Sequence, residues 1–199
     1  DDRYVEMTEQ LYADIVTGHT AGANTINIYL NNAGAGFAGV TARTLTTVFQ
    51  VGEISVMDVD NDGDMDIVNA SSSNVTNAAV WLNNGVAGFT NALSSLPRVR
   101  DMRPADINGD GYVDLVMSLS NGSVSTYKNS GTGAFIEIDN LLMAAQIVDI
   151  ALGDMDGDGD IDILAGFDNN DLLTITNDGL GNLSNIAGQN ALGLINAVA

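Results

Sequence analysis

One eleven-residue pattern recurs three times at a fixed interval, and no other feature constrains the fold as tightly. The copies read DVDNDGDMDIV from Asp58, DINGDGYVDLV from Asp106 and DMDGDGDIDIL from Asp154, 48 residues apart in both cases. A second signature follows each copy: WLNNGVAGF from Trp81, YKNSGTGAF from Tyr127 and ITNDGLGNL from Ile175. YLNNAGAGF from Tyr29 adds a fourth, so the chain comprises four units. In the first unit EMTEQLYAD stands where the acidic loop belongs, without the needed carboxylates or glycine. That unit is expected to keep the fold and lack the site. A period of this length marks a repeat architecture, in which units bury their apolar faces against one another.

Within a unit the apolar residues follow the short period of strands. EISVMDV leads into the acidic loop, MDIVNAS leaves it, NAAVWLNN follows, and GFTNAL comes after an Asn-Gly turn. Such runs, broken by Gly, Asn and Asp, predict four antiparallel strands per unit. LYADIVTGH can be read as a helix in isolation, but the repeat register assigns it to a strand. Units of this size with four strands each predict an all-β chain of β-propeller blades, with a β-solenoid as the alternative. The expected spans are 1–46 for a blade with a degenerate loop, 47–95, 96–143 and 144–189 for three blades with acidic loops, and 190–199 for a strand of a further or closing blade.

Inside each loop, positions 1, 3 and 5 carry side-chain oxygen: Asp58, Asp60 and Asp62; Asp106, Asn108 and Asp110; Asp154, Asp156 and Asp158. Position 6 is always glycine, which permits a sharp turn with positive φ, and position 9 is Asp66, Asp114 or Asp162. Position 7 varies among Asp64, Tyr112 and Asp160, so its backbone carbonyl is the expected ligand there. The result is an all-oxygen cage for a hard cation that takes six to eight ligands. Two carboxylates about 5 Å apart repel by roughly 3 kcal/mol at an effective dielectric near 20. Several such pairs rival a domain's whole stability of about 5–15 kcal/mol, so a cation is expected in each loop. Calcium suits the cage better than magnesium, which demands a tight octahedron and retains water. Zinc is disfavoured because the chain has no cysteine and one histidine. An EF-hand is excluded, because its twelfth position needs glutamate and here holds Asn69, Met117 or Ala165.

Loops of the form D-x-[DN]-x-D-G-x-x-D, followed by an apolar strand and an N-x-G-x-G-x-F turn, resemble FG-GAP/VCBS repeats. The resemblance runs through essentially the whole chain and is strongest from about residue 47 to 183. Those repeats form the β-propeller of integrin α-subunits, some fungal lectins and many secreted or surface proteins of bacteria. The resemblance implies that each loop joins the first two strands of a blade and binds calcium. The implied ligands are Asp58, Asp60, Asp62, Asp64 and Asp66; Asp106, Asn108, Asp110, Tyr112 and Asp114; and Asp154, Asp156, Asp158, Asp160 and Asp162. Propellers of the family typically close with seven blades, whereas four units stand here. The final NALGLINAVA is similar to MAAQIVDIAL, the strand before an acidic loop. A longer protein, a small four-bladed ring and a subunit completed by a neighbour are the alternatives, with the terminal strand as a candidate for self-association.

Charge and composition set the remaining bounds. With 26 acidic residues against 6 basic ones and a net charge of −20, nucleic acid is excluded as a partner. No apolar run reaches the roughly 18 residues of a membrane span, so no membrane insertion is expected. The chain opens at Asp1 rather than Met, the expectation being that a leader has been removed or the chain trimmed. The one histidine, His19, has no partner predictable from spacing, and no nucleophile elbow or phosphate loop occurs, so the chain is expected not to be an enzyme. Trp81 and Tyr127 fall at equivalent strand positions and are assigned to blade packing. Arg98, Arg100 and Arg103 are expected to pair locally with Asp101 and the acidic loops. Extracellular calcium modules bind at roughly 10⁻⁴ to 10⁻³ M, an affinity that fills a site outside a cell and leaves it empty within. The expected function is therefore an extracellular or cell-surface module with three calcium sites, used in adhesion, recognition or assembly. A protein or glycan ligand is expected, with a filament or surface-layer subunit and a lectin as the alternatives.

Overall fold

The computed structural model describes residues 3–5, 14–19, 24–31, 36–71, 78–85 and 88–190. Among them are sixteen strands and no helix, in four antiparallel four-stranded sheets. Sheet 1 holds β1 (Arg3–Val5), β2 (Asp14–His19), β3 (Thr25–Tyr29) and β4 (Arg43–Thr46). Sheet 2 holds β5 (Val51–Met57), β6 (Asp66–Ser71), β7 (Ala78–Asn83) and β8 (Phe89–Ser94). Sheet 3 holds β9 (Val99–Ala105), β10 (Asp114–Leu119), β11 (Ser123–Asn129) and β12 (Phe135–Leu142). Sheet 4 holds β13 (Ile147–Gly153), β14 (Asp162–Phe167), β15 (Asp171–Asn177) and β16 (Leu183–Asn190). Neighbours in each sheet follow chain order, so every sheet is a meander. The segment LYADIVTGH contributes β2, as the repeat register requires. The degenerate loop before Asp14 and the terminal strand from residue 191 lie outside the described residues.

The repeat is visible in the register. Ile15 pairs with Tyr29, Ile67 with Trp81, Leu115 with Tyr127 and Ile163 with Ile175, at the same place in each sheet. The second strands of sheets 2 and 3 are buried on both sides. All six residues of β6 and of β10 are buried, as in a sheet covered on both faces. Clean alternation of apolar and polar residues is therefore lost there.

The chain divides into two compact units, Asp1–Arg98 and Val99–Ala199. In the first, Val16, Ile26 and Ile28 of sheet 1 pack against Val51, Ile54 and Ile67 of sheet 2, with Trp81 and Phe89 beside them. Gly18 is required there, because a Cβ would run into the side chains of Val51 and Ile54. The Arg43 guanidinium lies 5.2 Å above the Phe89 ring.

In the second unit, Ile107, Val116 and Val124 of sheet 3 share a core with Ile147, Ile150, Ile163, Ala165 and Ile175 of sheet 4. Burial of each large aliphatic side chain contributes about 1.5–3 kcal/mol. Arg103 bridges the two sheets: its guanidinium pairs with Asp101 at 3.0 Å and Asp149 at 2.8 Å and donates to the Ile150 carbonyl at 3.1 Å. The expected Asp101 pairing is present, and the Asp149 link across sheets adds to it. Burial, the neighbouring Asp149 carboxylate and its hydrogen bond hold the Asp101 carboxyl above its ordinary range, while Arg103 pulls it down. Thr126 Oγ1 also crosses between the sheets, donating to the Gly181 carbonyl at 2.7 Å.

Candidate metal centres

Each acidic loop joins the first and second strands of its sheet, between β5 and β6, β9 and β10, and β13 and β14. Two residues in each loop have positive φ. At position 6 these are Gly63, Gly111 and Gly159; at position 4 they are Asn61 (φ 60), Gly109 (φ 71) and Gly157 (φ 87). Only glycine and asparagine enter this region readily, and the two left-handed residues coil the loop so that alternate side chains converge. The first carboxylate closes the coil. Asp58 accepts from the Asp62 and Gly63 N–H groups at 3.1 and 3.0 Å, and Asp106 from those of Asp110 and Gly111 at 3.1 and 2.9 Å. Asp154 accepts from Gly157 and Gly159 at 2.7 and 3.2 Å.

Three groups of oxygens gather within 4.8 Å: Asp58, Asp60 and Asp62; Asp106, Asp110 and Asp114; Asp154, Asp156 and Asp162. Asp66 and Asp158 stand next to their clusters, within electrostatic reach of Asp60 and Asp156 respectively. The position 7 side chains point elsewhere. Asp64, Tyr112 and Asp160 lie over Gly85, Gly131 and Gly179 of the following turn, where a Cβ would collide with them. Their side chains cover that turn, leaving the backbone carbonyl as the group position 7 can offer to an ion.

Position 9 has a role that spacing did not reveal. Asp66, Asp114 and Asp162 are wholly buried, and each accepts two backbone N–H bonds. Asp66 takes Val59 at 2.8 Å and Asn83 at 2.7 Å; Asp114 takes Ile107 at 3.3 Å and Asn129 at 2.7 Å; Asp162 takes Met155 and Asn177, both at 2.9 Å. One carboxylate thus ties the loop to the end of the third strand. Burial pushes the Asp66 and Asp114 carboxyls up to about 6, against the pull of those two N–H donors. Burial, together with Asp62 and Asp58, also raises Asp60.

The asparagine of the second signature completes this brace. The Nδ2 groups of Asn83, Asn129 and Asn177 donate to the carbonyls of Met65, Val113 and Ile161 at 3.2, 3.1 and 3.2 Å. Their Oδ1 atoms accept from Gly85, Gly131 and Gly181 at 3.3, 2.8 and 2.8 Å. The presence of asparagine in all four copies of the signature was the signal for this role.

The donor set fits a hard divalent cation. Asp60 Oδ1 is buried and takes no hydrogen bond, in the middle of the first cluster. Asn108 Nδ2 is likewise buried with no hydrogen-bond partner, while its Oδ1 accepts the Asp110 N–H at 3.0 Å. An acceptor without a donor among carboxylates is the arrangement a cation satisfies.

An FG-GAP-like repeat profile matches residues 12–69, 58–117 and 106–165. The chain belongs to the FG-GAP-like repeat family. Its four sheets are blades of a repeat β-propeller module, and solved structures agree at the level of fold. Crystal structures of BBS1N in complex with ARL6DN, soaked with lead or with mercury, match 98% of the chain. Their TM-scores are 0.64 and 0.66, with 15% and 12% identity over 56% and 55% of those chains. The crystal structure of Saccharomyces cerevisiae Sqt1 matches 92% of the chain and 48% of its own, with TM-score 0.64 and 11% identity. The FG-GAP-like chain thus spans about half the length of the solved structures it resembles. No curated protein matches its sequence.

Proposed function

We propose that this chain is an extracellular or cell-surface recognition module, non-enzymatic, whose blades are stiffened by calcium at residues 58–66, 106–114 and 154–162. The observation that carries the reading is the convergence of three carboxylates within 4.8 Å at one equivalent place in three blades. Calcium would supply positive charge and oxygen coordination there. The chain's own residues do the rest. The coil of positions 1 to 6 presents oxygens, and the position 9 aspartate transmits loop order to the second and third strands. At roughly 10⁻⁴ to 10⁻³ M affinity, such loops fill in calcium-rich surroundings, which supports an extracellular location.

The test is a thermal melt with size-exclusion and light scattering, in millimolar calcium and in excess EDTA. A lowered melt in EDTA with unchanged mass supports the reading. Unchanged melting together with no calcium uptake removes it.

Assembly through a further blade of the same repeat is a second reading, favoured by the outward face of blade 4. Ile107 is 1% exposed beneath blade 4, whereas its counterpart Met155 is 40% exposed. Leu164 and Leu172 are half-buried where their counterparts Val116 and Val124 are fully covered. A blade presenting residues like Ile147, Ile150 and Ile163 would cover that face as blade 4 covers blade 3. A monomeric mass unchanged by Met155→Asp at high protein concentration would dispose of assembly through this face.

A further inference from the structure

Lys128 is the chain's only lysine, and it stands directly after the aromatic position of the third strand. The same position holds Leu82 in blade 2 and Thr176 in blade 4, by the register that equates Trp81, Tyr127 and Ile175. Its ammonium lies 2.6 Å from Asp110 Oδ2, at position 5 of the second acidic loop. Among the described residues no ion pair reaches a carboxylate of the loops at 58–66 or 154–162. The second loop is also the poorest in charge. It carries Asp106, Asp110 and Asp114, with Asn108 at position 3 and Tyr112 at position 7, where each of the others carries five aspartates.

We propose that Lys128 is a tethered counter-ion that makes residues 106–114 the weakest of the three calcium sites and the least dependent on metal for its order. The inference rests on the calcium reading above. Two effects act in the same direction. Fewer carboxylates lower the attraction for a divalent ion, since ligand charge count tunes affinity in oxygen cages. An ion entering the loop must also share Asp110 with the ammonium or displace it. In return the loop has one positive charge always at hand, so its carboxylates repel less when metal is withdrawn. The Lys128 side chain is 49% exposed, so neutralisation is partial and a divalent ion can still compete.

The experiment is a calcium titration of the full chain by NMR, following the Gly63, Gly111 and Gly159 amides, one per loop. The variants are Lys128→Thr, which carries the residue of blade 4, and Lys128→Arg as the conservative control. In the wild type, Gly111 is expected to titrate at a calcium concentration about tenfold above the other two. Lys128→Thr should close most of that gap without moving Gly63 or Gly159, and should lower the melting temperature in EDTA. Lys128→Arg should behave as the wild type. Three coincident titrations in the wild type, or a Lys128→Thr chain that shifts neither Gly111 nor the EDTA melt, overturn the ranking and leave the calcium reading standing. Failure of all three amides to respond to calcium overturns the calcium reading, and the ranking with it.

Discussion

Asp14 in blade 1 and Asp114 in blade 3 occupy the same place in their sheets, and each accepts a backbone N–H at 2.7 Å from the asparagine of the second signature, Asn31 just past β3 or Asn129 at the end of β11. Both are buried. Yet only Asp114 ends an acidic loop; the residues before Asp14 carry none of the Asp-x-Asp-x-Asp-Gly pattern. The difference separates two roles that the loop sequence presents together. Position 9 braces the blade and survives where the cage is gone. Positions 1, 3 and 5, the oxygens proposed for the cation, are absent from blade 1. A blade of this repeat therefore keeps its register without the acidic loop, and on the proposed calcium reading the ion would add stiffness to a sheet that already pairs correctly.

Withdrawal of calcium should divide the blades most sharply. With a dissociation constant near 10⁻⁴ M, the sites at 58–66 and 154–162 each contribute about 1.4 kcal/mol at 1 mM calcium, and a tenfold weaker site at 106–114 about 0.4 kcal/mol. Together they contribute about 3 kcal/mol, or a fall in Tm of about 9 °C for a chain of this size on chelation. Hydrogen exchange should then show protection lost around residues 58–66 and 154–162, and lost less around 106–114, with β2 and β3 unchanged. Equal loss in blade 1 would mean that the loops are not the seat of the effect.

Asp114→Ala comes next, at about 3 kcal/mol in urea unfolding, because it strands the buried N–H groups of Ile107 and Asn129. Asp14→Ala, which frees the Asn31 N–H, should cost about 2 kcal/mol. The telling condition is EDTA. Both penalties should persist there, since neither depends on an ion. Were the Asp114→Ala penalty to vanish in EDTA, position 9 would be a ligand only and the comparison with Asp14 would fail.

Much of this was legible in the sequence because the repeat multiplies the signal. The 48-residue interval marked out the four-stranded units, and three loops in register pointed to the converging oxygens. Position 4 admits only Asn61, Gly109 and Gly157 for the same steric reason that position 6 admits only glycine, a pattern the aligned loops display on their own. The brace was hidden because aspartate at position 9 reads as one more ligand, and its partners, the N–H groups of Asn83, Asn129 and Asn177, lie 15 to 17 residues away. Arg103 was readable as a partner of Asp101, but its reach to Asp149 depends on how β9 lies against β13. Lys128 has the look of an ordinary strand lysine, and only the hairpin brings it to Asp110.

Where calcium is absent, protons should stabilise the brace in its place. Asp66 and Asp114 have folded values of about 6 against an ordinary 3.8, so between pH 4 and 6 the folded chain holds more protons than the unfolded one. In EDTA, stability is therefore expected to rise as pH falls from 7 to 5, by about 1 kcal/mol for each carboxyl, with little further gain below pH 4. Urea unfolding at pH 5 and pH 7 measures it. A fall in stability over that interval would mean that these carboxylates are held charged by their N–H donors more strongly than burial opposes them.

The finest division comes from Asp58→Asn, which should turn blade 2 into a counterpart of blade 1, with Asp66 intact and the cage broken. Asparagine keeps one oxygen for either the Asp62 or the Gly63 N–H, so one of the two closing bonds is lost. Removing a charge from beside Asp60 and Asp62 offsets that loss. In EDTA the variant should match the parent within about 0.5 kcal/mol. In 1 mM calcium it should fall short by about 1.4 kcal/mol, the contribution of a single site, and the calcium stoichiometry should drop by one. A variant equally destabilised in both conditions would show that position 1 shapes the loop whether or not an ion is present. The division between brace and cage would then hold only for position 9, and the acidic loop would have to be regarded as one structural element rather than two functions laid along the same nine residues.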